Sequence, residues 1–303
     1  MRSLLYAWSA AILAGGVILS AGQQGQGTTP APWPLSNAVR ERGSSITGAF
    51  EGWFYNKDGS RSLLVGYFNR NTKQELDVPV GPNNRIEPGG PDQGQPTHFL
   101  AGRQFGVFAI PVPKTFGATE LTWTIVANGQ TNTITMHARP DWIVEPFEDP
   151  ANKNTPPVIR FDPGASYSGP PVDVAASYTT PSGTPLPLVA WATDQGPKIN
   201  VPDAPSRNRG RGAAGSAPPP PRLTIAWSVF RGPGAVRFDN PRPPIDTDHD
   251  GKATSMATFT APGQYILRLQ ANDSTGDGGS GFQCCWTNVH VGVTVTPSPS
   301  GTP

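Results

Sequence analysis

No stretch of this chain keeps an apolar period of about 3.6 residues long enough to build an amphipathic helix. Apolar residues come in short runs or alternate with polar ones, and Gly, Pro and Asn cut between them. Of the 303 residues, 36 are Pro and 35 are Gly. Pro fixes φ and removes a backbone donor, whereas Gly supplies the positive φ that tight turns need. Short strands between such turns point to an all-β protein, and the length suggests about two β-sandwich domains.

The first residues have the layout of an export signal. Arg2 is positive, residues 4–19 are apolar and uncharged, and Ser20, Ala21 and Gly22 are small. That pattern predicts a signal peptide over 1–22, hence a secreted or periplasmic protein. The apolar run is short for a membrane span, which needs about 20 residues, and no later segment is apolar enough to be one. Residues 23–44 are rich in Gln, Gly, Thr and Pro and read as a flexible lead-in. The formal net charge is +1, so no global field favours nucleic acid or a membrane surface.

Residues 45–140 read as a first β-sandwich domain. Candidate strands cover 46–55, 63–68, 74–80 and 99–112. Leu121, Trp123 and Ile125 alternate with Thr122 and Thr124, and Asn128-Gly129 then leads into 131–137. Asn-Gly between alternating runs marks a hairpin, because both centres of a type I′ turn take positive φ. Residues 141–170 read as a Pro-rich connector anchored by Trp142, Ile143 and Phe147. A second sandwich is expected over 171–296, interrupted by a disordered basic insertion at 203–220, with a polar tail at 297–303.

In the second domain Trp227 lies within a strand-like run. Ala261-Pro262-Gly263-Gln264-Tyr265-Ile266-Leu267-Arg268-Leu269 leads to Asn272-Asp273. Over 223–295 this resembles the polycystic-kidney-disease type of immunoglobulin-like domain. The resemblance implies an immunoglobulin-like sandwich with Trp227 at its centre and Tyr265 capping a corner through its hydroxyl. It also implies an adhesive or spacer role without catalysis. Leu267 stands where antibody domains carry a core Cys, so their inter-sheet disulfide is missing. Residues 48–140, with Phe68-Asn69-Arg70-Asn71 and Val78-Pro79-Val80-Gly81-Pro82, resemble the front part of uncharacterised exported bacterial proteins. That likeness carries no activity.

Three groups could carry chemistry. Asp246, Asp248 and Asp250 alternate ahead of Gly251, a spacing that can wrap oxygens around calcium. The twelfth position of such a loop is Ala257 rather than a bidentate Glu, so a complete EF-hand is excluded. Asp239, Asp273 or Asp277 would have to complete a calcium shell, and the plainer reading is a polar turn.

The second group is Cys284-Cys285, the only cysteines, next to Trp286. Adjacent Cα atoms are about 3.8 Å apart, whereas disulfides prefer about 4.4–6.8 Å. Three readings stay open: a vicinal disulfide, a soft-metal site for copper or zinc completed by His290 or His249, or one buried and one outward cysteine. The third group is Trp53, Phe54 and Tyr55, which no single strand face can hide together. One of these rings would then stack on a sugar or partner, unless Trp53 and Tyr55 fill the core and Phe54 meets the second domain.

Support for catalysis is thin. The four histidines, His98, His137, His249 and His290, stand in no H-E-x-x-H pattern, and no G-x-S-x-G elbow occurs. A pair of distant carboxylates stays open, since glycosidase acids come from separate positions. The expected function is therefore a non-catalytic, exported binding or structural protein, adhesive or scaffolding. It would act on protein or polysaccharide outside the cytoplasm, or assemble with its own copies. The competing class is a metal-handling, carbohydrate-binding or carbohydrate-active protein.

Overall fold

The computed structural model describes residues 40–150, 153–162, 164–196, 223–273 and 285–298. The expected signal peptide, most of the lead-in, the basic insertion, Asp277, Cys284 and the end of the tail lie outside them. The described chain is all β, and its only helical pieces are single 3-10 turns such as Lys114–Phe116. Ala38–Pro303 forms one compact unit.

The first sandwich uses β1 (Ile46–Tyr55), β2 (Arg61–Asn69), β3 (Leu76–Asp77), β4 (Asn84–Glu87), β5 (His98–Phe99), β6 (Gly102–Val112), β7 (Glu120–Ala127) and β8 (Gln130–His137). One sheet runs β1-β2-β6, the other β4-β7-β8, and β3 pairs β5 at the side. Asn128 and Gly129 take φ of 48° and 73°, and the β7–β8 hairpin closes around them. The inward faces supply Ile46, Leu63, Val65, Phe108, Trp123 and Ile125 to the core. The Trp123 indole N–H would be costly there without a partner, and it donates to Asn84 Oδ1 at 2.9 Å.

The second sandwich uses β9 (Val158–Arg160), β10 (Ser166–Ser168), β11 (Val174–Pro181), β12 (Leu186–Thr193), β13 (Leu223–Arg231), β14 (Val236–Phe238), β15 (Lys252–Phe259), β16 (Gly263–Asp273) and β17 (Trp286–Thr296). Its sheets run β10-β9-β12-β15-β14 and β11-β17-β16-β13, with β11 parallel to β17. This is the strand division of an immunoglobulin-like sandwich. Trp227 is buried in its core, and the buried Tyr265 donates its hydroxyl to the Ala261 carbonyl at 2.8 Å. β9 and β10 fall inside 141–170, the span whose prolines read as a connector. Three-residue strands between prolines are too brief to show an alternation.

The outward face of β13, β16 and β17 is covered by the first sandwich. On β17, Trp286, Asn288 and His290 share that face by strand alternation. The Asn288 amide donates to the Gly106 carbonyl at 2.9 Å, and His290 Nε2 to the Val107 carbonyl at 3.1 Å. Trp286 packs with Phe54 and Leu64. Its ring lies where a Cβ on Gly106 would sit, so no side chain fits at that position. Buried Glu51 fixes this stretch of β6 by accepting from the Gly106 N–H at 2.8 Å and from Arg103 at 2.6 Å.

β13 is bulged between Val229 and Arg231. Ile225 and Trp227 face the second core, so strand alternation turns Phe230 to the opposite face, and the bulge sets Arg231 opposite Ile266 on that side as well. Phe230 thus leaves its own sandwich and joins the core of the first, while its carbonyl accepts from Thr97 N–H at 3.1 Å. Arg231 then reaches Asp92 at 2.8 Å and the Gln95 carbonyl at 2.7 Å. Phe230→Ala is expected to lower stability by about 3–5 kcal/mol, the cost of truncating a core aromatic. Urea unfolding checks this; a loss within about 0.5 kcal/mol would mark Phe230 as a surface residue.

Candidate functional site

The exposed aromatic surface lies where the chain leaves the first sandwich. After β8 it forms a 3-10 turn, Pro140–Trp142, and then runs parallel to β1, with Ile143 bridged to Trp53 and the Val144 N–H bonded to the Trp53 carbonyl at 2.9 Å. The close approach requires Gly52, at φ 116°, since a Cβ there would strike the Trp142 carbonyl and Val144. The Trp53 indole donates to the Arg139 carbonyl at 2.6 Å, so the segment also covers Trp53.

Two rings and an aliphatic side chain are left half in water: Tyr55 at 48%, Trp142 at 44% and Ile143 at 50% exposure. Trp142 is stacked on Phe50 at 5.3 Å and 22°, and His137 meets it edge-on at 5.5 Å. With one face held by Phe50, the indole has a fixed orientation. Tyr55 meets Trp53 edge-on at 5.2 Å, and the Arg61 guanidinium lies 5.3–5.4 Å from both rings.

Of the three consecutive aromatics, Trp53 is buried in the first core, and Phe54 is buried against Trp286 and the second sandwich. Tyr55 stays outside, because it ends β1 beyond the cover of the 140–144 segment. Phe147 anchors the linker on Phe54 at 5.7 Å. From sequence Trp142 reads as an anchor of the connector only. Its exposed ring follows from the parallel path of the linker, which has no sequence signature.

The other candidates are not brought together. Asp246 caps the 3-10 turn Thr247–His249, accepting from Asp248 N–H at 3.0 Å and holding His249 Nδ1 at 2.7 Å. Those bonds, His249 first, hold its carboxyl below the usual range. Asp250 pairs with Arg160 at 2.9 Å, Asp239 accepts from Ser255 and Met256, and buried Asp273 accepts from Asn154. Among the described residues no three His, Cys, Asp or Glu side chains converge as metal ligands. Cys285 is buried and disulfide-bonded, with φ 88°. His290 lies five positions along the strand, roughly 16 Å away, so the two cannot share one ion.

Two histidines titrate abnormally. Burial alone would push the His98 imidazole down, but contacts to Glu75 at 3.1 Å and Asp77 at 2.8 Å raise it above its usual value. His290 is partly buried between the sandwiches, tilted on Phe230 at 4.1 Å. Burial drives it down to about 4 against the Val107 carbonyl, which favours the charged ring, and smaller repulsion from Arg268 and Arg231 adds to the fall.

No protein-family model matches the chain, and no curated protein does. Among solved structures it is similar to domains 4 and 5 of the S-layer protein SbsC, with 13% identity, 84% of this chain and 98% of that one covered, and a TM-score of 0.23. It is also similar to the D00-D0 domain of intimin, with 12% identity, 82% and 99% covered, and a TM-score of 0.24. A tandem of titin Ig domains gives 8% identity, 84% and 100% covered, and a TM-score of 0.23. Scores this low carry no inference about activity or partner, and the fold rests on the strand order above.

The His290 ring predicts a pH dependence of stability. Its folded value of about 4 lies below the ordinary 6.5, so the unfolded chain binds more protons between those limits. The stabilisation is complete above pH 6.5 and is lost as the pH falls toward 4, by about 3 kcal/mol in total. His290→Gln should flatten the stability curve by that amount across this window. Urea unfolding at stepped pH measures it; parallel curves for the two proteins would refute the buried neutral ring.

Proposed function

We propose that this is an exported, non-catalytic binding protein in which the second sandwich holds the first rigid and the first presents the contact face. The observation that carries the reading is the half-exposed Tyr55, with Arg61 against its ring, together with half-exposed Ile143 and Trp142, the latter fixed on Phe50. Large aromatic rings and Arg dominate binding energy where they sit preorganised, because little conformational entropy remains to be lost. Export is supported by the signal-like residues 1–22. A partner outside the cytoplasm follows from export, and the near-neutral charge gives no support to nucleic acid.

Co-sedimentation of the purified protein with the cell envelope of its source tests the reading. The wild type is expected in the pellet, and the double variant Tyr55→Ser/Trp142→Ser should be retained at least about tenfold less. An unchanged circular dichroism spectrum establishes that the variant folds. Equal retention of both proteins, or none of the wild type, contradicts the proposal.

A further inference from the structure

We propose that a groove on the outer face of the β4-β7-β8 sheet binds a neutral saccharide chain, with the Thr124 hydroxyl as its innermost contact. This rests on the reading as an exported binding protein and names a ligand class for it. The groove is lined by Arg85, Glu87, the turn Pro88-Gly89-Gly90-Pro91, Thr122 and Thr124. Thr124 is 5% exposed, and its hydroxyl, bonded to none of the described residues, keeps its access to solvent through the groove. A ligand there can complete it.

The walls are held firmly. The Gln93 amide donates to the Pro88 carbonyl at 2.8 Å, Gln95 donates to the Pro91 carbonyl at 2.6 Å, and buried Asn84 donates to the Val78 and Pro96 carbonyls at 2.8 Å. Arg231 of the second sandwich clamps the same loop through Asp92. Gly89 and Gly90, at φ 105° and 115°, leave their N–H groups without acceptors among the described residues.

The ligand class follows from the donor set. Arg85 and Glu87 pair at 2.8 Å, so the groove is near neutral and offers donors and acceptors side by side. A free anion would meet the exposed Glu87 carboxylate, and a peptide would find no deep apolar pocket. Sugar hydroxyls both donate and accept. Pairing across the sheet sets Thr133 beside Thr124 and Thr135 beside Thr122, extending the hydroxyl rows. The next row pairs Glu120 with His137, whose ring touches Trp142. An indole face is a surface on which the apolar C–H face of a pyranose can stack.

The test is amide NMR on the 15N-labelled protein, titrated separately with cellotetraose, chitotetraose and maltotetraose to about 5 mM. One of them is expected to move the Gly89, Gly90, Thr122 and Thr124 signals saturably. Thr124→Val, which keeps the shape and removes only the hydroxyl, should weaken that binding about tenfold. Arg85→Met, at the partly exposed wall, should weaken it as well. No saturable shift with any of the three sugars overturns the proposal, as does unchanged affinity in both variants. Movement of the same signals by sulfate, with all three sugars silent, also overturns it. If the sugars fail while envelope retention persists, only the saccharide assignment falls; if both fail, the binding reading falls too.

Discussion

The structure depends on one covered sheet face. The outer side of β13, β16 and β17 carries Phe230, Trp286 and His290, which water would solvate poorly, together with Asn288 and buried Arg268. The first sandwich meets it with backbone carbonyls of residues 105–107 and with Gln104, whose side chain accepts from Arg268 at 2.6 Å. Apolar burial supplies the attraction, and the matched hydrogen bonds remove the cost of desolvating polar groups. Phe230 goes further: it makes part of the second sandwich a piece of the first one's core.

That coupling gives the first sandwich its presenting surface. Phe54 and Phe147 tie the linker to the same interdomain cluster, and the linker in turn places Trp142 on Phe50. Arg231 holds the loop that walls the polar groove. The aromatic face and the groove are thus both braced from the interface side, and they adjoin through His137. A binding protein gains from such bracing because ordering is completed on folding rather than on contact.

The sequence was legible where period and turn chemistry agree. Asn128-Gly129 marked its hairpin, and Trp227 and Tyr265 marked the centre and corner of the second sandwich, because these signals act within a few residues. The interface was not legible. Alternation from Ile225 and Trp227 turns Phe230 to the outer face of β13, but nothing in the sequence tells which surface covers that face. Two-residue strands such as β3 and β5 carry no period at all. Thr122 and Thr124 read as ordinary outward positions of an alternating strand; that Thr124 is buried follows from the loop over 81–96, which is held by Asn84, Gln93 and Gln95 at long or irregular spacings. Cys285 and His290 sat close in sequence, but an extended strand separates such neighbours.

Urea unfolding followed by amide signals from each sandwich tests the coupling most directly. Ile125 reports the first core and Leu269 the second. If the shared face makes them one cooperative unit, the two signals are lost at the same urea concentration and with the same slope. Separate midpoints, with one sandwich folded while the other is not, would contradict the account.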